Sequence, residues 1–148
     1  MGQAIAQSLR ASQSRYEISV ADRDADRLGK ESSRLSVTPD SAYANLKDAD
    51  AVILAVKPQD LAALAEELTG AISGNSILVS VAAGVTIAKI KKMFGHEKIV
   101  RVMPNIGLSV GQGISAWKSS GLSSGDEKTA RQLLNDLSEN FEADEEEL

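Results

Sequence analysis

The sequence predicts an α/β fold: a doubly wound, mostly parallel β-sheet with helices on both faces. The first observation is the run Ala51–Val56, which is uninterruptedly apolar, rich in β-branched residues and followed by Lys57-Pro58. Such a run is typical of a strand buried on both faces, as the strands of parallel sheets are. The second observation is that similar runs, Ser76–Val81 and Lys98–Met103, alternate with amphipathic segments. This alternation indicates strand–helix–strand units.

Length, charge and composition restrict the protein class. A chain of 148 residues suits one domain, and 43% hydrophobic with 25% charged residues is typical of a soluble globular protein. A net charge of −5 without a basic patch argues against a nucleic-acid partner. The absence of cysteine excludes disulfides and thiolate catalysis, and one histidine leaves no cluster for a metal. Without a signal peptide or a membrane span, we expect a cytoplasmic protein with no membrane partner; the oligomeric state stays open.

The part of the chain before Ala51 predicts several short elements. A helix opens the chain, which is unusual because such sheets normally begin with a strand. The expected elements are a helix over Met1–Arg10, a strand over Tyr16–Ala21, a helix from Asp22-Arg23-Asp24 to about Lys30, a short strand over Leu35–Val37, and a small helix from Thr38 or Asp40 to about Leu46.

The rest of the chain follows from periodicity and capping signals. The expected elements are a helix over Pro58–Leu68, a helix that Thr86 caps and that Gly95 ends, a strand over Gly111–Trp117 that could be antiparallel, a helix over Asp126–Glu139, and a solvated acidic tail from Phe141 to Leu148. His96, in the loop after the Thr86 helix, is expected on the surface. Trp117 is expected in the core or packed at an edge.

Three predicted strands end in small or conformationally special residues. These ends are Lys57-Pro58, Ala82-Ala83-Gly84 and Pro104-Asn105. The carboxyl ends of parallel strands meet at one edge of the sheet, where ligands of open α/β sheets bind. Glycine and alanine let a ligand approach the backbone there, and proline fixes the turn. Each ending alone is an ordinary turn, but the three together predict a binding site at that edge.

Four motifs carry a resemblance to a known family. They are Met1-Gly2-Gln3-Ala4-Ile5, Ala55-Val56-Lys57-Pro58, Ser80-Val81-Ala82-Ala83-Gly84-Val85-Thr86 and Arg101-Val102-Met103-Pro104-Asn105. In order and spacing they resemble the nicotinamide-cofactor domain of the pyrroline-5-carboxylate reductase family. The resemblance implies a single, partial Rossmann dinucleotide-binding domain over residues 1–148, without the family's C-terminal helical domain for dimerisation and substrate binding.

The resemblance also implies which residues bind the cofactor, NADP or NAD. Met1 and Gly2 are what remains of the family's glycine fingerprint, with Gly2 as its third glycine; the first two glycines and the first strand are missing. We expect that the start codon was assigned too late. Ala55, Val56, Lys57 and Pro58 would flank the ribose and pyrophosphate. Ala82, Ala83 and Gly84 would underlie the nicotinamide, with Asn105 near its carboxamide; Ile106-Gly107 after Asn105 departs from the family's Thr-Pro.

The preference between NAD and NADP depends on the end of the second strand of such a domain. Asp22 lies 20 residues after Gly2, where a carboxylate would hydrogen-bond a ribose 2′-OH and repel a 2′-phosphate. Arg23 and Arg27 are close enough in sequence to pair with that phosphate instead. A third interpretation is that Asp22-Arg23-Asp24 only caps the following helix. The sequence leaves these alternatives open.

Three functions fit these observations. The first is the cofactor domain of a pyrroline-5-carboxylate reductase, which reduces an imino-acid substrate to L-proline, and which we expect to be inactive without the helical domain. The second is a stand-alone module that binds NAD(P) or a partner without catalysis. The third is a related Rossmann reductase that pairs NADP with a deazaflavin. Catalytic residues are not predicted.

Overall fold

The computed structural model describes residues 1–12, 15–35, 37–40, 43–105, 107–108 and 112–148. The helices are α1 (Gly2–Ala11), α2 (Ala25–Leu35), α3 (Leu61–Glu67), α4 (Ile87–Phe94) and α5 (Ser124–Leu137). The strands are β1 (Ser19–Val20), β2 (Thr38–Pro39), β3 (Ala51–Leu54), β4 (Ile77–Ser80), β5 (Ile99–Pro104), β6 (Ile114–Ser120) and β7 (Glu139–Glu142). Short 3-10 turns cover Ala44–Lys47, Pro58–Asp60 and Glu145–Glu147.

The strands form two sheets. β1 and β2 pair in parallel as a two-stranded sheet, and the other five strands lie in the order β3-β4-β5-β6-β7. β3, β4 and β5 are parallel neighbours, β6 runs antiparallel to β5, and β7 is parallel to β6. This arrangement confirms the predicted α/β class with a mostly parallel sheet, and it confirms the antiparallel option for the strand that ends near Trp117.

Helices cover both faces of the larger sheet, as predicted. On one face, Ile5 and Leu9 of α1 and Leu134 of α5 pack with alternate residues of β4, β5 and β6, among them the buried Trp117. On the other face, α3 and α4 pack on the residues between these. All four residues of β4 are buried because this strand lies between two neighbours and two helical layers.

β3 differs from the prediction of a strand buried on both faces. Val52 and Leu54 are buried, whereas Ala51 and Ile53 are only half-buried. The physical reason is position: β3 is the outer strand of the five-stranded sheet, and no strand within the described residues pairs with its other edge. One face of β3 is therefore buried, and the other is partly covered, since Ala51 and Ile53 pack against the cluster formed with α1 and α5.

The region before β3 is where the predicted boundaries are least accurate. Only Ser19–Val20 of the predicted strand Tyr16–Ala21 forms a ladder, because its partner β2 is just as short. α2 continues past Lys30 to Leu35, whose side chain is buried. The predicted strand over Leu35–Val37 is wrong, since the strand begins at Thr38.

The small helix predicted to begin at Thr38 or Asp40 is a 3-10 turn that begins at Ala44. The Asp40 carboxylate is buried and accepts hydrogen bonds from the backbone N–H groups of Ala44 and Asn45, at 2.8 and 2.9 Å. Asp40 thus caps the turn from outside it.

The second half of the chain follows the prediction closely. Thr86 caps α4 by accepting a hydrogen bond from the Lys89 N–H, and Gly95 ends the helix in the left-handed region at φ 60°. β6 begins at Ile114 rather than Gly111, which lies outside the described residues. α5 begins at Ser124, where Ser123 and Asp126 form a capping box.

Two expectations about the surface are wrong. His96 is only 6% exposed, and its Nε2 donates a hydrogen bond to the Ser76 carbonyl oxygen at 2.8 Å. The acidic tail is exposed at most of its residues, as predicted, but it is not an extension without structure, because Glu139–Glu142 forms β7 and Ala143 is buried. His96 and the acidic tail each contact residues that are distant in sequence. In the described part of the chain, no helix is both long and apolar enough to cross a bilayer.

Candidate functional site

The ends of three parallel strands define the edge of the sheet where the site was predicted. Leu54 of β3 lies opposite Ser80 of β4, which lies opposite Arg101 of β5. β3 and β4 leave the sheet at this level, whereas β5 continues to Pro104 and pairs there with β6. The segments that follow β3 and β4 therefore emerge side by side, and the end of β5 projects beyond them.

The N-terminus of α1 lies at the same edge. A Cβ atom on Gly2 would be 3.2 Å from the Cβ of Ala55, the first residue after β3, so the helix and the strand approach closely at this glycine. Among the described residues, no side chain caps α1, whose N-cap residue is Met1. Unpaired N–H groups and the helix dipole favour an anion at such a terminus. At ten residues, α1 is long enough to have such a dipole.

The segment after β3 has an exposed and a half-buried part. Ala55 and Val56 are half-buried, and Lys57 and Pro58 are exposed. The Lys57 carbonyl accepts the N–H of Asp60, which closes the turn that begins at Pro58. This turn leads directly into α3, so its position follows from the packing of that helix.

The segment after β4 combines a buried anchor with an open turn. Ala82 is buried, Ala83 and Gly84 are exposed, and Gly84 adopts φ 70°. In the part of the chain that the structure describes, no atom lies within 4 Å of where a Cβ on Gly84 would stand. This left-handed conformation favours glycine, and the open space above it allows a ligand to contact the backbone. The turn thus fits a flat group lying against it.

Asn105 closes the connection between β5 and β6. Its side-chain Oδ1 accepts hydrogen bonds from the N–H groups of Gly107 and Ile114, both at 3.1 Å. Its backbone N–H donates to the Ile114 carbonyl at 3.1 Å. The residue is exposed at the projecting end of β5, and its amide oxygen organises the turn.

Asp22 and Arg23 lie between β1 and α2. The Asp22 carboxylate accepts hydrogen bonds from the Arg27 guanidinium at 2.7 Å and from the Asp24 N–H at 3.0 Å. Burial alone would raise the pKa of Asp22, but these two bonds bring it below its usual value. Arg23 lies 3.4 Å from the carboxylate of Asp60. The end of β1 therefore lies beside the turn that follows β3.

Two residues near these segments were not singled out in the sequence. Tyr43 has φ 55°, and burial, followed by the nearby Glu67 carboxylate, raises the pKa of its hydroxyl. Glu145, in the tail, reaches the N-terminus of α4. A tyrosine in the left-handed region has no sequence signal, and the contact of Glu145 spans too many residues for a local pattern to reveal it. In the described ranges, no group of three His, Cys, Asp or Glu side chains is placed to bind a metal.

Comparison with known families identifies the chain. Residues 1–84 match the sequence model of the family described as NADP oxidoreductase, coenzyme F420-dependent. The chain belongs to this NADP oxidoreductase family. The matched residues include α1, the end of β1, and the segments after β3 and β4, so the family match covers most of the predicted site.

Relatives of this NADP oxidoreductase domain support the predicted resemblance. Pyrroline-5-carboxylate reductase from Arabidopsis thaliana is 41% identical over 70 residues, which are 47% of this chain and 25% of the relative. The structure of a pyrroline-5-carboxylate reductase from Coxiella burnetii superimposes with a TM-score of 0.86 at 26% identity, covering 97% of this chain and 55% of that one. The resemblance to the reductase family's cofactor domain is thereby confirmed.

A third similarity concerns the fold. The pyrroline carboxylate reductase from Plasmodium falciparum, solved with NADP bound, superimposes with a TM-score of 0.84 at 23% identity and covers 99% of this chain and 55% of that one. The chain therefore spans a quarter of the curated relative and about half of each solved one. The fold matches the predicted Rossmann-like class.

Proposed function

We propose that this chain binds NADPH or NADH as the cofactor-binding part of a pyrroline-5-carboxylate reductase. The observation that carries the proposal is the uncapped N-terminus of α1 at Gly2, packed against Ala55 at the edge where β3 and β4 end. A helix N-terminus at a strand end is the place where this fold class holds a pyrophosphate. The family description, which names NADP, supports the same cofactor.

Each segment of the edge has a role in this proposal. The N–H groups of the first turn of α1, which begins at Gly2, bind the pyrophosphate, with Lys57 adding a positive charge nearby. Met1, Ala55, Val56 and Pro58 border the pyrophosphate and ribose.

The nicotinamide half lies over the second segment. Ala83 and Gly84 leave room for the ring, the buried Ala82 anchors their turn, and Asn105 lies beyond the ring at the projecting end of β5. When bound, the dihydronicotinamide supplies a hydride for the imine carbon of the substrate, and the protein's contribution is position and electrostatics.

Titration calorimetry with NADPH and NADH tests the proposal. We expect saturable binding of at least one cofactor to the purified chain. A matched variant, Gly2→Val, places a branched side chain where even a Cβ would already be 3.2 Å from Ala55, and we expect it to abolish binding. If neither cofactor binds to the folded wild-type chain, the proposal is wrong.

Asp22 is proposed to decide between the two cofactors. Its ionised carboxylate would bond a ribose 2′-OH, and in this structure it also holds Arg27 at 2.7 Å. Asp22→Ser removes the negative charge and releases Arg27, so we expect the affinity ratio of NADPH to NADH to rise about tenfold. The control is Asp26→Asn, which removes an exposed charge from the first turn of α2. An equal ratio in both variants would show that Asp22 does not distinguish the two cofactors; the side chain that caps α2 is that of Asp24, which accepts the Arg27 N–H at 2.9 Å.

Reduction of the imino acid is proposed for the complete enzyme. Because the chain spans about half of its solved relatives, we propose that a further helical domain supplies substrate binding. We expect this chain alone to form no proline from pyrroline-5-carboxylate and NADPH. Measurable turnover would contradict this expectation and would place the substrate site within residues 1–148.

A second candidate reaction is favoured by the description of the matched family, which names coenzyme F420. In this alternative the chain exchanges hydride between NADP and a deazaflavin. Mixing the chain with NADP and reduced F420 discriminates the two: F420-dependent formation of NADPH supports the alternative, and cofactor binding without this reaction supports the first proposal.

A further inference from the structure

The acidic tail contacts the part of the protein that leads out of the proposed nicotinamide site. Glu145 Oε1 accepts a hydrogen bond from the N–H of Ile87, the first residue of α4, at 2.5 Å. Thr86, the residue before it, accepts the N–H of Lys89 at 3.3 Å. The first turn of α4 thus has two caps, one local and one supplied by a residue 58 positions later.

A buried cation holds Glu145 in this position. The side chain of Arg101 is 5% exposed, and its guanidinium lies 3.3 Å from the Glu145 backbone oxygen and 3.5 Å from the carboxylate. The Nε of Arg101 is buried and has no hydrogen-bond partner within the described residues. A buried charge needs a counter-charge, and Glu145 is the acid that the fold brings to it.

The sheet itself explains why acidic residues are needed here. Arg101 of β5 lies directly opposite Lys118 of β6, and like charges in this position repel each other. Lys118 is 3.5 Å from Asp144 and 3.5 Å from Glu142. The tail therefore places three carboxylates near these two cations. Glu142 also pairs with Arg131 of α5 at 3.2 Å, and Glu145 is the one that bonds the first turn of α4.

A short segment connects α4 to the proposed cofactor site. Only Val85 and Thr86 separate Gly84 from Ile87, and Val85 and Ile87 are both buried in the same apolar cluster. A displacement of the first turn of α4 would therefore move the exposed turn at Gly84. The connection is short enough to leave the turn little freedom of its own.

We propose that Glu145 is a positioning residue: by capping α4 while paired with Arg101, it sets the Ala82–Gly84 turn in the geometry that receives the nicotinamide half of the cofactor. This inference rests on the proposed function. It predicts that loss of Glu145 weakens contacts to the nicotinamide half and leaves the adenine half, at the α1 and β1 ends of the site, unchanged.

Two ligands of the purified chain separate these halves: NADPH and adenosine 2′,5′-bisphosphate, which lacks the nicotinamide. For Glu145→Ala we expect the Kd of NADPH to rise about tenfold and the Kd of the bisphosphate to stay the same. Glu145→Gln keeps an oxygen acceptor for the Ile87 N–H, so we expect it to restore most of the affinity. The control Glu146→Ala changes an exposed neighbour that makes no ion pair or side-chain hydrogen bond within the described residues, and we expect no effect.

The outcomes distinguish this inference from the proposed function. If both ligands bind Glu145→Ala more weakly by the same factor, the residue only stabilises the fold and the inference is wrong. It is also wrong if NADPH binds Glu145→Ala as tightly as wild type. If wild type binds neither ligand but binds NADH, the same comparison is made with NADH and adenosine 5′-diphosphate. If wild type does not bind NADH either, the proposed function itself fails, and the inference falls with it. Faster amide hydrogen exchange at Ile87 in Glu145→Ala, but not in Glu146→Ala, would confirm the cap independently of any ligand.

Discussion

The turn at Gly84 allows a test of the proposed site in which stability and binding are separated. Gly84 and Gly95 both adopt left-handed backbone, at φ 70° and 60°, and both are exposed. No atom of the described residues lies within 4 Å of a Cβ built on either. They begin and end the same loop–helix segment around α4, yet only Gly84 lies at the sheet edge. Alanine at each position is therefore a matched pair of substitutions.

The expected loss of stability is the same for both variants. An alanine in left-handed backbone costs about 1–2 kcal/mol, and neither new methyl group meets a neighbour. In a domain of this size, each 1 kcal/mol lowers the melting temperature by roughly 2–4 °C. Because natural domains are stable by roughly 5–15 kcal/mol, both variants should remain folded and any change in affinity should come from the binding site.

The expected loss of affinity differs between the variants. The methyl group of Gly84→Ala would occupy the space in which the nicotinamide approaches the backbone, so we expect the Kd of NADPH to rise at least about tenfold, or about 1.4 kcal/mol. Gly95→Ala should bind like wild type. Fluorescence titration of NADPH together with thermal denaturation measures both quantities. An unchanged Kd for Gly84→Ala, or an equal rise for Gly95→Ala, would refute this placement of the cofactor.

Three further predictions concern the fold. Ser123→Ala removes the cap of α5, and we expect it to lower the free energy of unfolding, measured with denaturant, by about 1 kcal/mol. The Ser123 N–H and hydroxyl, with Lys98, lower the pKa of Asp126 to about 2, so the difference between wild type and variant should shrink as pH falls from about 4 towards 2. A difference that stays constant over this range would contradict the prediction. Burial, followed by the hydrogen bond to a carboxylate on α5, raises the pKa of Tyr16 to about 12. The free energy of unfolding of wild type should therefore fall relative to that of Tyr16→Phe as pH rises from about 10 to 12. If the two free energies change with pH in parallel, the prediction is wrong. His96→Leu leaves a buried carbonyl without its donor and should cost about 1–3 kcal/mol by chemical denaturation; no loss would mean that water replaces the imidazole.

The placement of the strand ends at one edge was predictable because its signals are local. An apolar run followed by Lys57-Pro58, or by Ala82-Ala83-Gly84, marks a strand end wherever the strand lies in the sheet. Parallel strands bring such ends to one edge, so the order of the segments was enough to place them together. The cap at Thr86 and the end of α4 at Gly95 also depend only on neighbouring residues, and both are seen in the structure.

The tertiary structure decided what depends on distant partners. The sequence of β3 is typical of an inner strand, but in the structure β3 is the outer strand of its sheet. The order of strands depends on the packing of distant segments, which a local pattern does not contain. The sequence around His96 predicts a surface residue, but the fold places the Ser76 carbonyl oxygen within hydrogen-bond distance of its side chain.

The acidic tail is the clearest case. Its composition is that of a solvated segment, because packing a run of carboxylates against the protein stabilises the fold only where positively charged partners are present. Arg101 and Lys118 lie 17 residues apart in sequence and become neighbours only when β5 and β6 pair. The positive charge that these two residues bring together, with Arg101 buried, favours carboxylates beside the sheet, and Glu145 pairs with Arg101 and bonds α4. The sequence by itself determined the elements and the edge at which a ligand would bind; the pairing of strands decided which charges must be neutralised and therefore where the chain's last residues lie.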